Sequence, residues 1–257
     1  MECSSTMVFN NYDIKVGVFS DKGVRKENED SFLISKDITS PTFMVADGAG
    51  GYSFGKEASK TCVKAFISEI EHLKNTDTEY FKKLLEKKYN QINEHLFNKL
   101  KTNNTRMMST ITQATIMEKK LIVSNIGDTI LYRLRDNEIS ILSEIHSLAW
   151  EEYKSNEITY EEYLNHPKKN VITRAVGGRE EIVPFIYEYD INIDDIFIIC
   201  TDGIYNHIRE DEIKEYLING NFTDEDLSRI CNDIGTEVLS RKSSDNVTIL
   251  IFQILAI

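Results

Sequence analysis

The apolar pattern changes period several times along the chain. Apolar runs at 14–20 (IKVGVFS), 31–35 (SFLIS) and 42–46 (TFMVA) predict three strands, the last two joined by a hairpin loop through KDITSP. The period then lengthens. Over 56–73, Ala58, Cys62, Ala65, Phe66 and Ile70 recur at helical spacing. Over 78–100, Phe81, Leu84, Leu85, Tyr89, Ile92 and Leu96 line one face of a second helix. Four short strands are expected next, at 110–118, 121–126, 129–134 and 138–143, with turns tight enough to suggest one antiparallel meander. Residues 144–170 are polar and partly helical. Strands resume in IVPFIYEYDI and DIFIICT, helices in REDEIKEYLIN and DEDLSRICNDIGTEVLSR, and a last strand in NVTILIFQIL.

Grouped strands and paired helices argue for an α+β fold rather than alternating βαβ units. The expected form is a four-layer α-β-β-α sandwich, two antiparallel sheets flanked by helix pairs. With 257 residues and only 3 prolines, the chain has room for one large domain and little for a linker, so a single domain over 1–257 is expected.

Composition narrows the function. A formal net charge of -12 disfavours nucleic acid as the main partner and suits hard divalent cations. Cys3, Cys62, Cys200 and Cys231 are scattered without a C-x-x-C pair, which argues against zinc and for a reduced, cytoplasmic protein. No signal peptide is recognisable at the N-terminus, and no apolar stretch approaches the ~20 residues a membrane span needs.

Two stretches share a form: FMVADG and FIICTDG are buried-type strands ending in Asp-Gly, at Asp47 and Asp202. Such carboxylates project from the end of a sheet. Asp30 precedes SFLIS, Asp245 precedes NVTILIF, and Asp128 lies in the turn NIGDT. In antiparallel sheets the end of one strand lies beside the start of its neighbour, so these aspartates can converge on one edge. Packed carboxylates repel and raise one another's pKa, a cost that bound divalent cations remove. Taken singly, each of these aspartates reads better as a turn residue; taken as a set, they read as a multi-metal site. Arg25, in DKGVRKENED, could present its planar fork to a phosphate there, or pair with Glu27 or Glu29 at the surface. A rival reading comes from Gly50, Gly55 and Lys56, which match most of a nucleotide-binding P-loop, but Glu57 stands where that loop needs Ser or Thr. The strand grouping also does not suggest the parallel core of that class.

With these motifs in view, the chain resembles the type 2C metal-dependent Ser/Thr protein phosphatases, in their bacterial single-domain form. GVRKENEDSF, MVADGAGG, SNIGDTILY, EIHSLAWEEYKSNEIT with NVITRAVGG, DIFIICTDGIYNHI and SSDNVTILI are similar to the family's motifs and follow in the family's order. The resemblance implies that Asp47 bridges two Mn²⁺ or Mg²⁺ ions, that the Gly48 carbonyl joins one, and that Asp202 and Asp245 ligate the other. Glu29 and Asp30 would hold ion-bound waters, and Asp128 with Asp202 would serve a third ion. Arg25 would hold the substrate phosphate. A water shared by the two ions would attack phosphorus in line, with no covalent intermediate. Residues 144–170 would carry the family's flap.

The departures are specific. Ala49 stands where animal members carry a histidine, so protonation of the leaving group is implied to come from a metal-bound water. STI (109–111) replaces Gly-Thr-Thr, Ile130 replaces the Arg after Gly-Asp-Ser, and Ile145 replaces the Asp of Asp-His-Ser. The expected activity is hydrolysis of phosphoserine and phosphothreonine in proteins phosphorylated by a Ser/Thr kinase, by a monomer that binds neither nucleic acid nor membrane. The alternatives are a weak or inactive phosphoprotein-binding regulator of the same fold, and a phosphatase of small molecules.

Overall fold

The central strands are apolar on both faces, and that decides the architecture. The computed structural model describes residues 5–9, 12–35, 40–50, 54–70, 77–103, 106–219 and 226–256. The elements begin with strands β1 (Ser5–Phe9), β2 (Tyr12–Asp21), β3 (Asp30–Ile34) and β4 (Thr42–Ala49), followed by helices α1 (Phe54–Ile70) and α2 (Thr78–Asn103). Strands β5 (Met108–Ser109), β6 (Ile111–Met117), β7 (Lys120–Ile126), β8 (Ile130–Arg135) and β9 (Glu138–Ile141) come next. Short helices α3 (Leu148–Lys154) and α4 (Tyr160–Leu164) precede β10 (Phe185–Asp190) and β11 (Ile196–Cys200). The chain closes with α5 (Asp202–Tyr205), α6 (Glu210–Asn219), α7 (Asp226–Ser240) and β12 (Val247–Ala256).

The strands form two antiparallel sheets, ordered β1-β2-β12-β11-β8-β9 and β10-β7-β6-β4-β3, with β5 paired to β4. Alternation along each strand then feeds separate cores. Phe43 and Val45 of β4 meet Phe197, Leu250 and Phe252 between the sheets. Met44 and Ala46 of the same strand point outward to Cys62, Phe66, Leu85 and Tyr89 of α1 and α2. On the other side, Ile249 and Ile251 of β12 pack against Ile213 of α6 and Ile230 and Ile234 of α7. Three cores separate four layers, as the grouping of strands and helices anticipated.

The single meander is corrected. β6 pairs with β7, and β8 pairs with β9, but the hairpins belong to opposite sheets. The apolar pattern marks strands without saying which sheet each joins, and here β7 and β8 are linked by a short crossing that carries Asp128. Strand β4 also runs on to Ala49, so Asp47 lies within a strand rather than beyond it. Helix α1 begins at Phe54, before the expected Lys56. Strands β1 and β5 were not anticipated. Residues 36–39 of the expected hairpin loop, Gly51 and Cys3 lie outside the described residues.

Within 144–170, Ser147 caps α3 by accepting from the Trp150 N–H, and Thr159 and Glu162 form a capping box on α4. Trp150, Tyr153, Tyr160 and Tyr163 cluster with ring centroids 5.0–6.2 Å apart. The Tyr160 hydroxyl donates to Glu210 of α6 at 2.6 Å. No helix among the described residues is long and apolar enough to cross a membrane.

The two sheets are clamped by a stack in which Phe252 lies 4.0 Å from Phe43 and 4.9 Å from Phe197, centroid to centroid. Phe252→Ala opens a cavity there and is expected to cost roughly 3–5 kcal/mol in chemical denaturation. A loss under about 1 kcal/mol would mean the stack does not hold the sheets together.

Candidate metal and phosphate site

The ends of both sheets bring the acidic set together. β3 and β4 run antiparallel with Asp30 directly opposite Asp47. β11 and β12 also run antiparallel, so Asp202, just past the end of β11, lies beside the start of β12, which Asp245 precedes. Asp128 arrives on the crossing from β7 to β8.

Burial and mutual repulsion shape this cluster. Burial, followed by the charges of Asp30, Asp202, Asp128 and Asp245, pushes the Asp47 carboxyl well above its ordinary range. Burial is also the largest cause at the others: Asp30 rises to about 7, Asp128 to about 8 with Asp202 next in effect, and Asp202 to about 6 with Asp245 next. Glu29 is raised by burial, opposed by Arg25. These shared influences are the sign that the five aspartates occupy one neighbourhood.

Each group is also held. Thr201 donates its hydroxyl to Asp30 Oδ2 at 3.2 Å, while the buried Asp30 Oδ1 has no hydrogen-bond partner. The Tyr205 hydroxyl donates to Asp128 Oδ2 at 3.1 Å. Asp202 accepts from Asn206 Nδ2 at 3.4 Å. The Asp47 backbone is fixed on both sides: its N–H donates to Thr110 Oγ1 at 2.9 Å, and its carbonyl accepts from Ser109 Oγ at 3.0 Å. Arg25 is exposed and turns to neither Glu27 nor Glu29; it donates to Asp245 Oδ2 and to the Ser244 carbonyl, both at 2.8 Å.

The Asp-Gly pairs are not positive-φ turns, since neither Gly48 nor Gly203 has a positive φ. Space is what each requires. A Cβ on Gly48 would sit 2.0 Å from the Gly55 carbonyl oxygen, and one on Gly203 would sit 1.9 Å from that of Asn246. At the start of α1, a Cβ on Gly55 would in turn meet the Gly48 carbonyl oxygen and the Glu29 carboxylate, at 2.7 and 2.8 Å. The Gly48 carbonyl and Glu29 thus share one corner of the site, and Lys56 beyond it pairs with Glu27 at 3.2 Å in an ordinary helix.

Three residues here escaped sequence reasoning. Buried Asn246 accepts from the Glu29 N–H at 2.9 Å and donates to the carbonyls of Lys22 and Glu27 at 3.0 and 2.9 Å, pinning the loop that presents Arg25 and Glu29. Its place next to Asp245 was the available signal. The His146 ring Nδ1 accepts from the Gly127 N–H at 3.0 Å, and the His146 backbone N–H donates to the Gly127 carbonyl at 2.9 Å, which fixes the turn carrying Asp128. Burial lowers its pKa to about 4, so it is neutral near pH 7. Lys169 is close enough to Asp202 to feel its charge, and nothing in HPKKN distinguishes it.

Chemically this is an oxygen-only donor set with an orphaned buried acceptor, which fits hard divalent cations. Among the described residues no three His, Cys, Asp or Glu side chains gather tightly enough to enclose an ion by themselves. Ions would therefore be shared with backbone carbonyl and water. The buried thiols are pushed up by burial, Cys62 to about 12 and Cys200 and Cys231 further, so none serves as a nucleophile. All named strand pairings are antiparallel, which removes the P-loop reading.

Comparison with known proteins follows the same line. A family model described as Protein phosphatase 2C matches residues 23–237. The serine/threonine phosphatase stp of Listeria monocytogenes is 29% identical over 242 residues, covering 91% of this chain and 93% of that protein. The crystal structure of Stp1 from Staphylococcus aureus superposes with a TM-score of 0.85 at 24% identity, over 98% of this chain and 99% of that one. The catalytic domain of PstP, solved with two manganese ions, superposes with a TM-score of 0.80 at 22% identity, over 94% and 98%.

The raised carboxyls make the ion-free protein sensitive to base. Asp30, Asp128 and Asp202 keep protons in the folded chain above the ordinary 3.8, so the folded state binds more protons than the unfolded one and loses stability as pH rises from about 4 to about 8. Cations compete with those protons and bind better as they leave. The melting temperature with EDTA is expected to fall between about pH 6 and pH 8, and Mn²⁺ to raise it more at pH 8 than at pH 6. An equal rise at both would disconnect these carboxyls from ion binding.

Proposed function

The chain belongs to the protein phosphatase 2C family, a metal-dependent family, and we propose that it hydrolyses phosphoserine and phosphothreonine in proteins phosphorylated by a Ser/Thr kinase. The observation that carries this reading is the convergence of Asp30, Asp47, Asp128, Asp202 and Asp245 on one end of the sandwich, with Asp30 Oδ1 left unpartnered. In this reading Asp47, the Gly48 carbonyl, Asp202 and Asp245 would hold two Mn²⁺ or Mg²⁺ ions, Glu29 and Asp30 would hold water around them, and Asp128 with Asp202 would serve a third ion. Such ions supply a water activated near neutral pH and offset charge on the phosphoryl oxygens.

The remaining chemistry belongs to the chain. Arg25 is already aimed at the cluster by Asp245 and the Ser244 carbonyl, and its Nη1 has no partner among the described residues. A phosphate oxygen is the natural ligand for that exposed edge of the guanidinium. Ala49 cannot protonate a leaving group, and the neutral His146 ring is committed to Gly127, so neither supplies that proton. The domain spans 1–257 as one catalytic unit, and residues 144–170, stiffened by their aromatic cluster, form the flap.

Mn²⁺-dependent hydrolysis of p-nitrophenyl phosphate and of phosphothreonine peptides is expected, and EDTA should abolish it. Asp47→Asn and Asp202→Asn should each lower kcat/KM by about a hundredfold or more. Wild-type inactivity with every divalent metal would instead favour a phosphoprotein-binding regulator. Arg25→Ala should act mainly on KM, raising it about tenfold. An unchanged KM removes Arg25 from the site.

A further inference from the structure

The acidic site has a basic neighbour. A cavity of about 170 Å³ opens beside Asp47 and Ala49, floored by Ser109 and Thr110. Its other walls include Arg106, from the segment between α2 and β5, and Arg174 and Arg179, from the segment between α4 and β10. Three arginines around one small cavity stand out in a chain of net charge -12.

Most other described arginines are paired. Arg25, Arg135, Arg209 and Arg241 each hold a carboxylate. Arg106, Arg174 and Arg179 are exposed, and among the described residues none of their guanidinium groups has a hydrogen-bond or ion-pair partner. Asp47, the one carboxylate in the lining, takes no hydrogen bond from them. The hydroxyls of Ser109 and Thr110 are committed to the Asp47 carbonyl and to Thr129. The Thr173 hydroxyl, also in the lining, is given to Glu151. The free side-chain donors in the cavity are therefore the arginines, whose guanidinium groups suit an anion from outside.

We propose that Arg106, Arg174 and Arg179 form a subsite for a second anionic group on the phosphoprotein substrate, held within a few residues of the phosphate under attack. This deepens the phosphatase reading and rests on it. The cavity takes one side chain end, either the carboxylate of Asp or Glu or a second phosphate. Both present planar or fanned oxygens that a guanidinium fork matches.

The test uses the whole protein with saturating Mn²⁺ and phosphothreonine peptides of one sequence. The residues flanking the phosphothreonine are Ala, Glu, or a second phosphothreonine. The Glu or doubly phosphorylated peptide should exceed the Ala peptide in kcat/KM by about five- to tenfold, and raised salt should shrink that ratio. A gain for the doubly phosphorylated peptide alone assigns the pocket to phosphate; a gain for both assigns it to anions generally. The ratio should fall to about one in R106A/R179A and in R174A, and lysine replacements should keep part of it. Reading a ratio within each variant cancels any general loss of activity, and the salt dependence of the wild type stands apart from the variants. Equal rates on all three peptides overturn the subsite, as does a preference that survives the alanine variants. Failure to hydrolyse even the Ala peptide would overturn the phosphatase reading instead.

Discussion

Five aspartates crowded at one end of a sandwich constitute an unfavourable arrangement, and much of the local structure exists to hold it. Burial and mutual repulsion push the carboxyls of Asp30, Asp47, Asp128 and Asp202 upward, so the site carries protons or demands cations. A cluster under such repulsion does not stay assembled by its own contacts. It is imposed by the sheets, which are held by apolar cores on both faces and by the Phe43–Phe252–Phe197 stack between them. Hydrophobic burial far from the site thus offsets the electrostatic cost of building it.

Polar details then aim what the sheets bring together. Thr201 ties Asp30, on one sheet, to the segment that leads from β11 to Asp202, on the other. Asn246 fastens the Arg25–Glu29 loop to the start of β12, and His146 fixes the turn of Asp128. Gly48 and Gly203 are needed for clearance, because a methyl group at either would collide with a carbonyl oxygen. The glycine of each Asp-Gly pair therefore serves the same end as its aspartate: it lets another strand or helix come close enough to complete the site.

Charge is divided across a short distance. The aspartates form an acidic pole suited to cations, and Arg25 is drawn to it through Asp245. Arg106, Arg174 and Arg179 line the same cavity as Asp47. The aromatic helices α3 and α4 close another side, anchored to α6 by Tyr160 and Glu210.

The amino-acid pattern by itself determined a good deal. Uninterrupted apolar runs such as TFMVA and NVTILIF ask for burial on both faces, and the grouping of strands with helices in pairs made the layers an α+β sandwich. Asp30, Asp128, Asp202 and Asp245 were legible because each run shows where a strand starts or stops, whereas β4 runs on past Asp47 to Ala49. Only the tertiary structure decided which strands are neighbours. It split the expected meander between two sheets, placed Asp30 opposite Asp47, and gave Arg25 to Asp245. It also brought Arg106 to Arg174 and Arg179, and Lys169 to Asp202. Those pairings join residues far apart in the chain, and their contacts are settled by packing and register, quantities that no local period of hydrophobic residues contains.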